Sequence, residues 1–207
     1  MKLILSSCDF INDNSKKVIL DNIGKELVDC RVLFIPNEKA TTEMIKSEKY
    51  YRRLKKDGFK KRKNIYIFDE CNANMYKNLD IDLIYVGGGN TFGTIDKLRK
   101  SKFLSEISKY IKKGVIYIGG SCGAHIVTKN IKHVLEFDQN IVGTSNYRGL
   151  GFLDGIIIPH FDNSRKACYE KLVKQGKYKV YALSNDDSII INDDRISVIR
   201  GITEANK

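Results

Sequence analysis

Short apolar runs alternate along the chain with longer stretches in which apolar residues recur every three or four positions. Runs of Val, Ile and Leu are typical of parallel strands that are buried on both faces. The amphipathic stretches between them are typical of helices that cover such a sheet. The pattern predicts strands at residues 2–6, 31–36, 64–68, 83–86 and 115–118, and helices at residues 15–28, 42–56, 91–99 and 101–112.

The pattern changes after residue 140, where shorter runs follow one another more closely. It predicts strands at residues 155–159, 179–183, 188–192 and 196–200, with a helix at residues 164–174. Asp193-Asp194 would join the last two strands as a hairpin. We therefore expect an α/β fold whose mostly parallel sheet ends in an antiparallel edge near the C-terminus, in a single domain over residues 1–207.

A glycine-rich turn, Gly-Gly-Ser-Cys-Gly at 119–123, follows the strand at 115–118 and leads into an apolar helical stretch. The order of strand, Gly-x-Ser-x-Gly and helix is that of a nucleophile elbow, which exposes a serine hydroxyl at the carboxyl end of a strand. The N–H groups at the start of the helix, Cys122 first, could stabilise an oxyanion. The pattern indicates Ser121 as a nucleophile, and the alternative is a tight turn without chemistry.

A second glycine turn, Gly87-Gly88-Gly89-Asn90, follows the strand at 83–86. Without side chains, its backbone amides could approach a ligand oxygen closely. The turn lacks both the dinucleotide-binding spacing and the Gly-Lys-Ser/Thr of a phosphate-binding loop. Because neighbouring parallel strands present their carboxyl ends at one edge, we expect Gly88 and Gly89 to contribute to the same oxyanion hole.

The chain has three histidines, and His160 is the best placed to act as a general base. It follows the strand at 155–159 through Pro159, so it should lie at a strand end. His125 lies inside the helix after the elbow and should point away from Ser121, whereas no strand precedes His133. Elimination therefore favours His160, with a surface histidine as the alternative.

Cys122 offers a rival nucleophile next to Ser121. A thiol at a helix N-terminus is expected to have a lowered pKa and to be reactive. This would make the protein a cysteine-dependent amidase or a glyoxalase-like enzyme. The elbow glycines, however, lie two positions before and two after Ser121. The same motif centred on Cys122 would end in Ala124 instead of glycine.

The net charge of +11 raises the question of a nucleic-acid partner, and residues 52–63 hold the strongest basic run. No aromatic residues are interleaved there in a strand pattern, so we interpret the run as a solvated helix end and consider nucleic acid an improbable partner. A catalytically inactive basic binding module stays the alternative. Neither a membrane span nor a Cys-x-x-Cys pair occurs, and we expect a cytoplasmic protein without a metal or cofactor.

Three segments resemble those of the dipeptidase E and cyanophycinase group of serine peptidases, in the class I glutamine amidotransferase-like superfamily. They are Tyr-Val-Gly-Gly-Gly-Asn-Thr-Phe at 85–92, Tyr-Ile-Gly-Gly-Ser-Cys-Gly-Ala at 117–124 and Ile-Pro-His-Phe at 158–161. The resemblance implies a flavodoxin-like three-layer sandwich and a Ser–His pair without a metal. It also implies that the oxyanion donors are the amide after the serine and the turn at Gly88 and Gly89.

The resemblance further implies an exopeptidase that hydrolyses dipeptides or small peptides, N-terminal aspartyl peptides among them. An acidic third catalytic member is expected about fifteen residues after the serine, which indicates Glu136, with Asp138 as the alternative. Arg165 is positioned to bind a substrate carboxylate, helped by nearby polar side chains such as Asn90. We leave open whether two copies of the chain form a homodimer.

Overall fold

A computed structural model describes residues 1–201. Its central sheet has seven strands in the order β3-β2-β4-β5-β1-β8-β9. The first five are parallel, and β8 and β9 add an antiparallel edge. These strands are β1 (Lys2–Ser6), β2 (Val32–Ile35), β3 (Ile65–Ile67), β4 (Leu83–Val86), β5 (Ile116–Gly120), β8 (Ser188–Asn192) and β9 (Arg195–Ile199).

The two faces of this sheet bury separate cores, because alternate residues of a strand point to opposite faces. In β4, Leu83 and Tyr85 pack into one core, while Ile84 and Val86 pack into the other. The helices are α1 (Asp13–Ile23), α2 (Thr42–Lys46), α3 (Lys49–Asp57), α4 (Thr91–Lys100), α5 (Phe103–Lys112), α6 (Cys122–Ile126) and α7 (Lys166–Gln175). The expected α/β class with an antiparallel C-terminal edge is confirmed.

Two helices do not extend over the full range that the spacing of apolar residues predicts. The helix predicted over residues 15–28 ends at Ile23, because Gly24 adopts a left-handed conformation with φ of 80°. The helix predicted over 42–56 is divided, since Ser47 is extended and separates α2 from α3. The periodicity continues across both breaks, so the apolar spacing alone does not reveal them.

The predicted strands at 155–159 and 179–183 form, but they do not join the central sheet. β6 (Ile156–Ile158) pairs in parallel with β7 (Val180–Ala182) as a separate two-stranded sheet. The edge of β1 that β6 would need is already occupied by antiparallel β8, with Leu3 opposite Ile191. The small sheet nevertheless approaches the end of β1, because Ser7 Oγ donates a hydrogen bond to the carbonyl oxygen of Leu183 at 3.0 Å.

No helix within residues 1–201 combines the length and the apolar character that crossing a bilayer requires.

Candidate active site

Ser121 stands on a strained turn at the carboxyl end of β5. Its φ of 47° and ψ of −101° are unusual for a residue with a side chain, and such a conformation costs about 1–3 kcal/mol. The turn is held on both sides: the amide of Ser121 donates to the Ser6 carbonyl at 2.9 Å, and its own carbonyl accepts from the His125 amide at 3.1 Å. Strain of this kind is typical of functional positions, where surrounding contacts fix the residue.

The small size of Gly123 is required by the packing of α6 against β4. A Cβ at this position would overlap the carbonyl oxygen of Val86. The Gly123 carbonyl in turn accepts a hydrogen bond from the buried hydroxyl of Tyr117, at 2.8 Å. The pattern Gly-x-Ser-x-Gly therefore reflects close helix–strand packing beneath the serine as well as the turn itself.

His160 meets Ser121 across the gap between β6 and β5. Its Nε2 lies 3.1 Å from Ser121 Oγ, within hydrogen-bonding distance. The backbone of His160 is also in a left-handed conformation, with φ of 52°, and its amide donates to Ser7 Oγ at 3.0 Å. Because Ser7 and the elbow are both anchored at the end of β1, the base and the hydroxyl share one support.

The other ring nitrogen of His160 faces an amide side chain rather than a carboxylate. Nδ1 lies 2.7 Å from Oδ1 of Asn185, and Sγ of Cys8 lies 3.9 Å from the same nitrogen. An amide oxygen only accepts, so Nδ1 carries the proton and Nε2 is left to accept from the serine hydroxyl. This is the tautomer that general-base catalysis requires.

Glu136 and Asp138, the two acids expected near the imidazole, are engaged elsewhere. Glu136 forms an ion pair with Lys171 at 2.7 Å on the exposed surface. Asp138 accepts a hydrogen bond from the amide of Thr91 at 2.8 Å, at the positive N-terminal end of α4. The expectation that Glu136 orients His160 is therefore corrected: in the structure that position belongs to Asn185.

The topology of the small sheet brings Asn185 to His160, and no local sequence pattern marks this residue. It follows β7, and His160 follows β6, which pairs with β7 in parallel. The residues after two such strands lie side by side. The missing information was the pairing of β6 with β7, which no local pattern reveals.

The two predicted groups of oxyanion donors both lie next to Ser121. A Cβ at Gly88 would be 3.8 Å from the Cβ of Ser121, so the glycine turn faces the nucleophile directly. Gly89 has a φ of 154°, and a side chain there would collide with Asn37 and Glu38. Among residues 1–201, no acceptor pairs with the amide of Gly88 or Cys122, so both remain free to bind a substrate oxygen.

Cys122 is unsuited to act as the nucleophile. Its side chain is almost completely buried, and burial raises the pKa of the thiol to about 12. The lowered pKa expected from the helix N-terminus is wrong, since desolvation outweighs the dipole of a five-residue helix. The thiol stays protonated and inaccessible, which disfavours a cysteine-dependent amidase or a glyoxalase-like enzyme.

Both predicted substrate-binding side chains have structural partners. Asn90 caps α4 by accepting from the Gly93 amide at 2.9 Å, and its Nδ2 donates to the Gln139 carbonyl at 2.8 Å. Arg165 donates to the Pro159 carbonyl and lies over the ring of Phe137 at 4.5 Å. Arg165 therefore braces the backbone just before His160.

A cleft of about 400 Å³ opens beside the glycine turn. It is lined by Gly89 and Asn90 on one side and by the loop from Phe137 to Ile141 on another. The amide of Asn90 donates to Glu38 Oε2 at 2.9 Å, which fixes the loop after β2 against the turn.

Known proteins resemble this chain over its length. The family model described as peptidase family S51 matches residues 2–199. An uncharacterised peptidase of Listeria monocytogenes is 33% identical over 132 residues, which cover 61% of this chain and 63% of that protein. Peptidase E of Salmonella arizonae is 36% identical over 83 residues, which cover 40% of this chain and 35% of that protein. The chain thus spans less than two thirds of these relatives.

Solved structures extend the likeness to nearly the whole chain. A candidate peptidase E protein of Listeria monocytogenes superposes with a TM-score of 0.73 at 25% identity, covering 96% of this chain and 98% of that one. A peptidase from an acI-B1 actinobacterium shares the fold, with a TM-score of 0.65 at 15% identity, covering 96% and 87%. The resemblance deduced from the three glycine and histidine segments is confirmed.

Proposed function

Because the chain belongs to peptidase family S51, a family of serine-type peptidases, we propose that it is a serine exopeptidase that hydrolyses dipeptides or small peptides, N-terminal aspartyl peptides among them. The observation that carries this proposal is the 3.1 Å contact between Ser121 Oγ and His160 Nε2. A hydroxyl at this distance from a neutral imidazole can lose its proton as it attacks a carbonyl carbon.

In the proposed first half-reaction, Ser121 Oγ attacks the peptide carbonyl and its proton passes to Nε2 of His160. The carbonyl oxygen becomes an oxyanion, which the amides of Cys122 and Gly88 or Gly89 stabilise. The C–N bond then breaks, and the imidazolium gives its proton to the leaving amine. An acyl ester on Ser121 remains. Water attacks it with His160 again as base, the bond between the acyl carbon and Oγ breaks, and the imidazolium returns its proton to Oγ as the acid leaves.

Asn185 would act as a positioning residue for the imidazole. Its amide oxygen fixes the tautomer, but it lacks the negative charge that a carboxylate offers to the imidazolium formed during catalysis. A neutral third member is compatible with acyl transfer, since cysteine peptidases of the papain type use a Cys-His-Asn set.

The nucleophile is tested by comparing Ser121→Ala with Cys122→Ala on a panel of dipeptides read by mass spectrometry. We expect loss of at least about a thousandfold in kcat/KM for Ser121→Ala, because the covalent intermediate can no longer form. Cys122→Ala retains the backbone donor and should keep activity within about tenfold. Labelling by a fluorophosphonate probe should vanish only in the serine variant. Full activity of Ser121→Ala would refute the assignment.

A small peptide is the partner that this site would take. Four expectations stay predictions: a cytoplasmic location, a single domain, a possible homodimer and the absence of a nucleic-acid partner.

A further inference from the structure

One arginine of the basic run turns inward instead of extending into solvent. The side chain of Arg53, on α3, is 37% exposed, and its guanidinium lies over the rings of Phe34 and Tyr85 at 5.3 and 5.8 Å. Nη2 donates a hydrogen bond to the hydroxyl of Tyr85 at 2.8 Å. The rings hold the guanidinium in place by stacking, so less conformational freedom is lost when it binds a ligand.

This guanidinium lies directly behind the two turns that form the active site. Its Nη2 is 3.5 Å from the position that a Cβ of Gly87 would occupy, and Gly88 next to it faces Ser121. On its other side, Nη2 is 3.8 Å from Oδ2 of Asp9, which packs against Gly120, the residue before the nucleophile. Arg53 thus lies next to the residue before Gly88, and Asp9 links it to the residue before Ser121.

Most donors of Arg53 remain unused. The contact with Asp9 is too long for a hydrogen bond, and the hydroxyl of Tyr85 is reached through Nη2. The carboxylate of Asp57, one turn along α3, acts on the guanidinium through its charge without a hydrogen bond. Within the described part of the chain, no acceptor pairs with Nη1 or Nε. A half-buried guanidinium with free donors is suited to bind an anion, because carboxylates accept two parallel N–H bonds.

Arg53 opens into a cavity of about 290 Å³ whose lining carries three cations and no acid. The other cations are Lys39 and Lys49, both exposed, and the remaining lining residues are Asn37, Met44 and Tyr50. Asn37 and Lys39 also line the cleft over Gly89, so the cavity and that cleft adjoin each other beside the glycine turn. By contrast, the cavity beside Arg165 contains the carboxylate of Glu136.

We propose that Arg53, Lys39 and Lys49 form a carboxylate-binding subsite for the peptide substrate. The proposal rests on the peptidase function proposed above and deepens it, since it assigns recognition of the substrate's negative charge to α3 and the loop after β2 rather than to Arg165. The shared chemistry is a carboxylate, whether on the side chain of an acidic residue or at the free C-terminus.

Binding is measured by calorimetry in the Ser121→Ala background, with three probes: Asp-Ala, Asn-Ala and Asp-Ala amide. We expect Asp-Ala to bind at least tenfold more tightly than one of the two neutralised probes, and the weaker one identifies the carboxylate concerned. Adding Arg53→Met should abolish this preference, with little change in the affinity for that weaker probe. Lys55→Met, which removes an exposed charge from the same helix, should leave the preference unchanged.

Two further variants keep the test informative if Arg53→Met does not fold, which a thermal melt will show. Arg53→Lys retains the charge but loses the planar guanidinium that can donate two parallel hydrogen bonds. The double variant Lys39→Met/Lys49→Met changes only exposed side chains. Each should reduce the preference severalfold. An unchanged preference in both would overturn the subsite, as would equal losses for charged and neutral probes. Residual hydrolysis by Ser121→Ala would instead overturn the proposed function while leaving this binding result valid.

Discussion

At the residue scale, the partner of His160 distinguishes the candidate site from a triad with a carboxylate. Asn185 lies on an exposed loop, and its only observed role toward His160 is to accept the Nδ1 proton at 2.7 Å. The loop is held by Asp187, which accepts from the Ser184 amide and from Arg200, both at 2.8 Å. These bonds hold the backbone beside Asn185, whose amide water can reach.

We expect Asn185→Ala to lower kcat about tenfold with little change in KM, because the imidazole loses its orientation but not its contact with substrate. Asn185→Asp should restore most of kcat and move the acid limb of the kcat/KM profile to higher pH, since a carboxylate favours the protonated ring. Steady-state kinetics between pH 5 and pH 9 measure both effects. A profile for Asn185→Asp that superposes on that of the unmodified protein would exclude this role.

At the element scale, the N-terminus of α4 carries the glycine turn, and two carboxylates hold it. Glu38 accepts from the Asn90 amide, and Asp138 accepts from the Thr91 amide. Free amides at a helix start favour negative charge, so both acids stabilise the turn that would bind the oxyanion. Asp138, the alternative third catalytic member that the sequence indicated, thus binds the start of α4 and not the imidazole of His160.

Asp138→Asn should lower the free energy of unfolding by about 1 kcal/mol, through loss of a charged cap, and lower kcat severalfold by loosening the turn. Glu136→Gln is the matched control: its ion pair with Lys171 is exposed, so stability should change by less than about 0.5 kcal/mol and kcat by less than twofold. Urea unfolding and dipeptide hydrolysis measure both. A large loss of kcat in Glu136→Gln would reinstate it as a catalytic residue.

Much of this element-level organisation could be predicted from local sequence. Strands β1 to β5 and the elbow follow from apolar runs that end in glycine, since buried parallel strands leave a clear pattern. Asn185 and Arg53 could not be predicted, because each depends on packing between elements distant in sequence. Arg53 lies in a run whose other members are mostly exposed, and only the aromatic faces of Phe34 and Tyr85 single it out.

At the scale of the whole molecule, the two histidines other than His160 link stability to pH. His125 and His133 are buried with their rings 5.4 Å apart, and each has one ring nitrogen without a hydrogen-bond partner. The other nitrogens contact Thr91 Oγ1 at 3.0 Å and the Ile157 carbonyl at 2.8 Å. Burial lowers the pKa of both, that of His133 to about 4.

Both rings are therefore neutral in the folded protein at pH values where the unfolded chain binds protons. For a base whose pKa falls on folding, the full stability is present above the unfolded value of 6.5 and is lost as the pH decreases toward the folded value. For His133 the difference between 6.5 and about 4 corresponds to about 3 kcal/mol. His125 adds to the loss in the same direction.

Urea unfolding at intervals from pH 7.5 to pH 4.5 should show stability that is nearly constant near pH 7.5 and falls steeply below pH 6.5. His133→Gln can still donate to the Ile157 carbonyl but does not titrate. The slope of its unfolding free energy against pH should therefore be smaller, by the equivalent of up to one proton per molecule. His160→Gln, which changes a partly exposed ring, serves as the control. Equal slopes for His133→Gln and the unmodified chain would mean that His133 is not the group whose neutrality the fold requires. The acid sensitivity would then have to come from His125 alone or from the carboxylates.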